Sequence, residues 1–192
     1  MVLSLFTQEG SQTADRRFRP TWHPEYPIEQ RVRWRHEQTR AALLQEAWRR
    51  RARPDDALYV ADYDGLRILG PTERALKHAV ATLESTHGSA LIVEPLSVRY
   101  VHGALVLEPW MAVLVNVPKR YGFVIEHDFV RRRGDIRRFD QHGAAFVLEG
   151  EAPLVDLLGY ADWLRDVTKD DPSVAMWMSR YLPIGGGGPT AA

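Results

Sequence analysis

The sequence predicts an α+β chain, and three observations carry that expectation. Short apolar runs rich in valine, isoleucine and leucine alternate with stretches whose apolar residues recur every three to four positions. Glycine and proline punctuate the boundaries between them. The composition is globular: 192 residues, 45% hydrophobic and 26% charged. A chain of this size buries about 70% of its unfolded surface and needs no staple to hold a core.

The elements follow in order. Residues 1–26 are polar, carry Gly10, Pro20 and Pro24, and show no sustained period, so they read as an extended or partly disordered arm. Residues 28–52 read as a helix, with Ile28, Val32, Ala41, Leu44 and Trp48 at helical spacing. Arg49, Arg50 and Arg51 suit the negative end of its dipole, and Pro54 ends it. Ala57 to Ala61 and Leu66 to Leu69 read as a hairpin around Asp64-Gly65. Pro71 opens a helix with Leu76, Ala79, Val80 and Leu83 on one face, and Gly88 sits where a C-cap belongs. Ala90–Val93, Ser97–Val101 and Ala104–Leu107 read as strands broken at Pro95 and His102-Gly103.

From Trp110 the pattern is clearest. Met111–Val117 is a strand closed by Pro118. Tyr121, Val124, Ile125 and Phe129 form a helical face ending at Arg133-Gly134. Asp135–Phe139 and Ala144–Leu148 are strands joined at Gly143. Pro153 opens a second helix carrying Leu154, Leu157, Leu158, Ala161 and Leu164, and Val174–Tyr181 is a last strand. The order βαββαβ is the split βαβ of ferredoxin-like folds. The expected organisation is a basic arm and helix over 1–54 and a small αβ segment over 55–108. A ferredoxin-like βαββαβ sandwich follows over about 109–184, and then a flexible glycine-rich tail over 185–192.

Within that last unit the residues carry a resemblance. Glu108-Pro109 precedes the first strand and Val117-Pro118 closes it. Tyr121, Arg132-Arg133-Gly134 and Ile136 follow, then Gly143 at the turn. Pro153-Leu154, Gly159-Tyr160, Leu164-Arg165 and Thr168 come next, with Ser173, Met176, Tyr181 and Pro183 at the end. Together, from Trp110 to Pro183, they resemble the C-terminal domain of elongation factor G and related translational GTPases, over 74 of the 192 residues. The resemblance gives Tyr121, Gly134, Pro153, Gly159, Tyr160, Arg165 and Thr168 a structural role as signature positions.

Two departures bear on function. The family usually follows the threonine with a glycine-rich basic turn, x-G-R-G. Here Lys169-Asp170-Asp171-Pro172 stands instead, and its carboxylates would repel RNA phosphate. No G-x-x-x-x-G-K-[ST] motif occurs, so no GTP binding is expected on this chain, which reads as a stand-alone form of the domain without a GTPase domain. The 55–108 segment reads either as a shrunken remnant of the preceding factor domain or as an unrelated βαβ unit. Leu91 to Pro95 and Leu105 to Pro109 look like two versions of one strand-Glu-Pro junction.

Charge narrows the partners. Lys+Arg and Asp+Glu are 25 each, which excludes a uniformly basic coat. The balance is uneven: net +5 over residues 1–54 and net −5 over 55–192. Arg131, Arg132, Arg133, Arg137 and Arg138 crowd into eight residues, either as a phosphate-contacting patch or as a solvated helix end. Arg49, Arg50 and Arg51 with Trp34 and Trp48 suit RNA stacking and phosphate contact. The other reading docks this helix on the acidic half with its tryptophans buried. Cysteine is absent, no H-E-x-x-H or G-x-S-x-G occurs, and no metal or cofactor is expected. No run of eighteen apolar residues or signal-peptide pattern is present, so no membrane role and a cytoplasmic location are expected. The resemblance implies a non-catalytic binding module associated with the ribosome or RNA. The alternatives are a protein–protein adaptor that has lost that role, and an enzyme of unrecognised type.

Overall fold

The computed structural model describes residues 23–51, 57–169 and 172–185. The arm over 1–22, the pair Asp170-Asp171 and most of the glycine-rich tail lie outside them. Ten strands and five α-helices occur among the described residues, in two antiparallel sheets.

The first unit runs β1 (Ile28–Trp34), α1 (Glu37–Arg51), β2 (Leu58–Ala61), β3 (Gly65–Gly70), α2 (Glu73–His87), β4 (Leu91–Val93) and β5 (Ser97–Val98). Its sheet order is β2-β3-β1-β4, with β5 also on β1. The single helix expected over 28–52 is therefore corrected: its first third is a strand. Ile28 and Val32 are four apart, a spacing that fits one face of a helix and one face of a strand equally. Partners on both flanks decide for the strand. β3 pairs along one side from Ile28–Gly70 to Arg33–Gly65, and β4 and β5 pair along the other. Ile28 and Val32 are buried, while Arg31 and Arg33 point to the opposite, exposed side. A division at residue 54 would thus cut this sheet between its first strand and the rest.

α1 follows with Leu43 and Ala47 buried, and α2 buries Leu76, Ala79, Val80 and Leu83. Thr72 caps α2 by accepting the Ala75 amide, and Gly88 ends it at φ +53. An N-cap of this kind is worth about 1 kcal/mol.

The second unit contains β6 (Val101–His102), β7 (Val106–Pro118), α3 (Gly122–Arg131), β8 (Asp135–His142), β9 (Ala145–Pro153), α4 (Leu154–Leu157), α5 (Tyr160–Thr168) and β10 (Ser173–Pro183). Its sheet order is β10-β7-β9-β8, with the short β6 beside β7. Numbered within the unit, this is the ferredoxin-like order 4-1-3-2. The first unit has the same order, so the residues expected to form a basic helix and a small αβ segment build a second βαββαβ sandwich. The helix expected from Pro153 to Leu164 is also corrected. It breaks at Gly159, whose φ of +73 suits glycine, into α4 and α5.

One core joins both units. Met111, Val113, Val115 and Val117 alternate inward along β7, against Ile125 and Phe129 of α3 and Leu154, Leu157, Tyr160 and Leu164. Each fully buried aliphatic side chain there contributes about 1.5–3 kcal/mol. Between the units, Glu73 accepts the Gly159 amide at 2.8 Å, and Lys77 bonds Asp162 at 2.9 Å.

Phe129 fixes the α3–β8 turn. A Cβ on Gly134 would lie 2.5 Å from the Phe129 carbonyl oxygen, and one on Gly150 would lie 2.7 Å from its ring. Gly134→Ala should therefore cost about 1–3 kcal/mol, by the logic of overpacking. Urea denaturation followed by far-UV dichroism reads this as a lower midpoint. The Lys77 hydrogen bond, with further help from Arg165, holds the Asp162 carboxyl below its ordinary range. A depressed carboxylate stabilises above its unfolded value and loses that contribution as pH falls through the folded one. Asp162→Asn should lower the melting temperature at neutral pH, and the gap from the parent should close on acidification below the ordinary aspartate range.

Candidate functional site

The sequence places five arginines where α3 turns into β8, and the structure shows what each one meets. Arg132 donates to Asp128 and to the Asp156 carbonyl, both at 2.6 Å, and its guanidinium lies over the rings of Tyr160 and Trp163. Arg133 reaches across the unit to Glu108 through two bonds of 2.9 and 3.2 Å, and to Asp156 at 2.6 Å. Glu108 and Asp128 are buried, so these pairs are desolvated on the carboxylate side. Burial works against the Arg133 charge, but the bonds to Glu108 and Asp156 prevail and hold its pKa above the usual value.

On the strands, Arg137 pairs with the buried Glu151 at 2.8 Å, which Arg180 also reaches at 2.7 Å. Arg138 lies 3.3 Å from Glu149. The cluster is thus neutralised from within. Arg131 and Arg138 face solvent most fully, with side chains 70% and 68% exposed. Arg131 keeps one partner, Asp128.

The exposed side of α3 adds groups that the helical-face reading passed over. Phe123 is 80% exposed, and its ring stacks with His127 at a centroid distance of 6.4 Å. Val130 and Arg131 continue the same side, and Lys119 and Arg120 precede it, with Arg120 over Tyr121 at 4.7 Å. Val124, expected on the buried face, is half exposed, whereas Ile125 and Phe129 are buried. The available signal was the spacing 123, 127, 130, a second helical stripe about 150° from the core-facing one.

The first unit's candidates divide. Trp34 is half-buried against the core, with Arg40 5.5 Å from its ring, and Arg50 is tied to Glu46 at 2.7 Å and lies over Tyr59. Trp48 is 72% exposed and Arg49 is exposed beside it. The side chain of Arg51 lies outside the described residues. Trp34 ends β1 and the others sit on α1, whereas the arginine cluster sits where α3 turns into β8 in the other unit.

Among the described residues no group of three or more histidine, aspartate or glutamate side chains could hold a metal ion. None of their helices is long and apolar enough to cross a membrane.

Residues 105–187 match the family described as elongation factor G C-terminus. Relatives align over the same share of the chain. Elongation factor G of Amoebophilus asiaticus is 34% identical over 80 residues, covering 42% of this chain and 11% of that protein. Elongation factor G of Granulibacter bethesdensis is 33% identical over 82 residues, covering 43% and 12%. Elongation factor 2 of Thermococcus kodakarensis is 29% identical over 79 residues, covering 41% and 10%. The chain therefore spans about a tenth of the length of the curated relatives it matches.

The residues expected as signature positions have structural work in this chain. Gly134 and Phe129 interlock, and Gly159 takes the left-handed break. Tyr160 is fully buried, and Thr168 donates to the Leu164 carbonyl at 2.8 Å. Pro153 closes β9, Tyr121 packs on the core, and Arg165 pairs with Asp162. The departure at Lys169–Pro172 falls largely on undescribed residues, although Lys169 caps α5 at φ +53.

Removing one side of the inner pairs separates structure from surface. Arg133→Met leaves Glu108 buried without its partner and should cost about 3–5 kcal/mol. Arg131→Ala, at an exposed position, should change stability by no more than about 0.5 kcal/mol. Paired urea titrations of the two variants measure both.

Proposed function

We propose that this chain is a non-catalytic binding module that associates with ribosomal RNA through the second unit. The similarity of residues 105–187 to the elongation factor G C-terminus carries this reading. The exposed side of α3 supplies the chemistry: Phe123 and His127 for base or sugar stacking, and Arg131, Lys119 and Arg120 for phosphate, with Arg138 on β8. Arg132, Arg133 and Arg137 hold the frame that presents them and do not contact RNA. On the first unit, Trp48 and Arg49 form a separate, smaller exposed pair.

A second reading, a protein adaptor, is favoured by the uncovered face of the second sheet. Trp177 and Leu114 stand there 51% and 37% exposed, and Trp177 lies opposite Ala112 on β7. Light scattering and pull-down with the purified chain address it, and a monomer without a partner counts against it.

Co-sedimentation with 70S ribosomes over a salt series tests the first reading. Binding should be clear at low salt and fall steeply as salt rises. Arg131→Ala and Arg138→Ala should each reduce the salt slope by about 1. Phe123→Ala should weaken binding by about tenfold at constant slope, the loss of one stacking contact. No co-sedimentation at the lowest salt overturns the proposal.

A further inference from the structure

The two units meet across a cleft of about 820 Å³. One wall is the start of α2, with Glu73, Arg74 and Lys77. The opposite wall includes Val174, Ala175 and Met176 of β10 in unbroken succession. Consecutive strand residues point to opposite faces of a sheet. A cavity that touches three in a row therefore lies against the strand's edge, where the backbone is.

Among the described residues that edge is unpaired: β10 ends its sheet and bonds to β7 alone. Alternate residues of an antiparallel edge strand direct their N–H and C=O away from the sheet. Among the described residues no backbone of another element bonds to 173–178 from the cleft side. The stretch from Ser173 to Met178 has no charge and no proline, and its register runs unbroken. Edges that must avoid pairing normally carry such devices.

The cleft also selects. Its floor is apolar, with Ile28, Met111 and Leu157. Its rim holds three cations, Arg74, Lys77 and Arg165, against two carboxylates. Asp162 is shared by Lys77 and Arg165, and a Glu73 oxygen takes the Gly159 amide. Arg74 is exposed and has no ion pair among the described residues, so one positive charge faces the cleft uncompensated.

We propose that this cleft takes an extended peptide segment of a partner protein as an added strand on β10. An apolar side chain of the peptide sits on Met111 and Leu157, and an acidic one meets Arg74. Main-chain bonds to the edge supply affinity, and the floor and rim supply selectivity. This surface is separate from the exposed side of α3, so it stands independently of the ribosome reading.

Three capped seven-residue peptides test it: one alternating valine and glutamate, one alternating valine and lysine, and a valine–glutamate peptide N-methylated at its central valine. Each is titrated into the isotope-labelled full chain and followed by amide resonances. The valine–glutamate peptide should shift the amides of 173–178 and slow their exchange. It should bind about tenfold or more tighter than the lysine peptide, and Arg74→Glu should remove about tenfold of its affinity, as for a charge pair. N-methylation should abolish binding, and Arg131→Ala should leave it unchanged. Equal binding of the two alternating peptides, shifts that map away from β10, or no binding at millimolar peptide overturns the proposal. So does movement of the 173–178 amides on concentrating the chain alone, which would assign the edge to a second copy.

Discussion

The turn that carries the chain from α3 into β8 is held by two guanidinium groups and three carboxylates, and the second unit is arranged around it. Arg133 adopts φ +58, a left-handed conformation that costs about 1–2 kcal/mol for a side-chain-bearing residue. From that position its side chain reaches both Glu108, at the start of the long central strand, and Asp156, on the helix that follows β9. Arg132, one residue earlier, binds Asp128 behind it and the Asp156 backbone ahead of it. Two adjacent residues thus tie β7, α3 and α4 together. Gly134 completes the turn because only a residue without Cβ passes Phe129 there.

This arrangement changes what a run of arginines means. Read as charge, the cluster is the most basic stretch of an otherwise neutral chain. Read as structure, its members differ by partner. Arg132 and Arg133 face buried carboxylates whose isolation would be expensive, and Arg137 shares Glu151 with Arg180. Their charge is spent within the unit. The surface field near α3 comes from the more exposed Arg131 and Arg138 and from Lys119, which the motif did not include.

The second unit was legible because most of its local signals agree: alternation along 111–117, a two-residue turn at Gly143 and proline at the ends of strands, whereas the break at Gly159 was hidden by an apolar stripe that continues across it. The first unit was only half legible. Ile28 and Val32 fit two periods, and α1 buries few residues, so its face is faint. What makes 28–34 a strand is pairing with residues 65–70 and 91–98, far along the chain. The same distance hid the site. Glu108 and Asp156 stand 25 and 23 residues from Arg133, so of the carboxylates that neutralise the cluster only Asp128 lies within a helical turn of it in the sequence. Phe123 was missed for a local reason: its stripe shares a helix with a stronger apolar one.

β7 is the longest strand described, and eight of its thirteen residues lie between β9 or β6 on one flank and β10 on the other. Its partner β10 is the last strand of the unit in the chain. Joining the two closes a loop of more than fifty residues, for Ser173 meets Asn116. Loop-closure entropy grows slowly with length, about 0.6 kcal/mol per doubling, yet it must be met before any β10 contact forms. During synthesis, β7, α3, β8 and β9 can therefore assemble while one whole flank of β7 stays bare. For that interval the nascent unit presents an apolar strand edge of valines and leucine, the species most prone to pair with a neighbouring chain. Arrival of β10 ends the hazard, which makes the speed of its docking a determinant of how cleanly this protein is made.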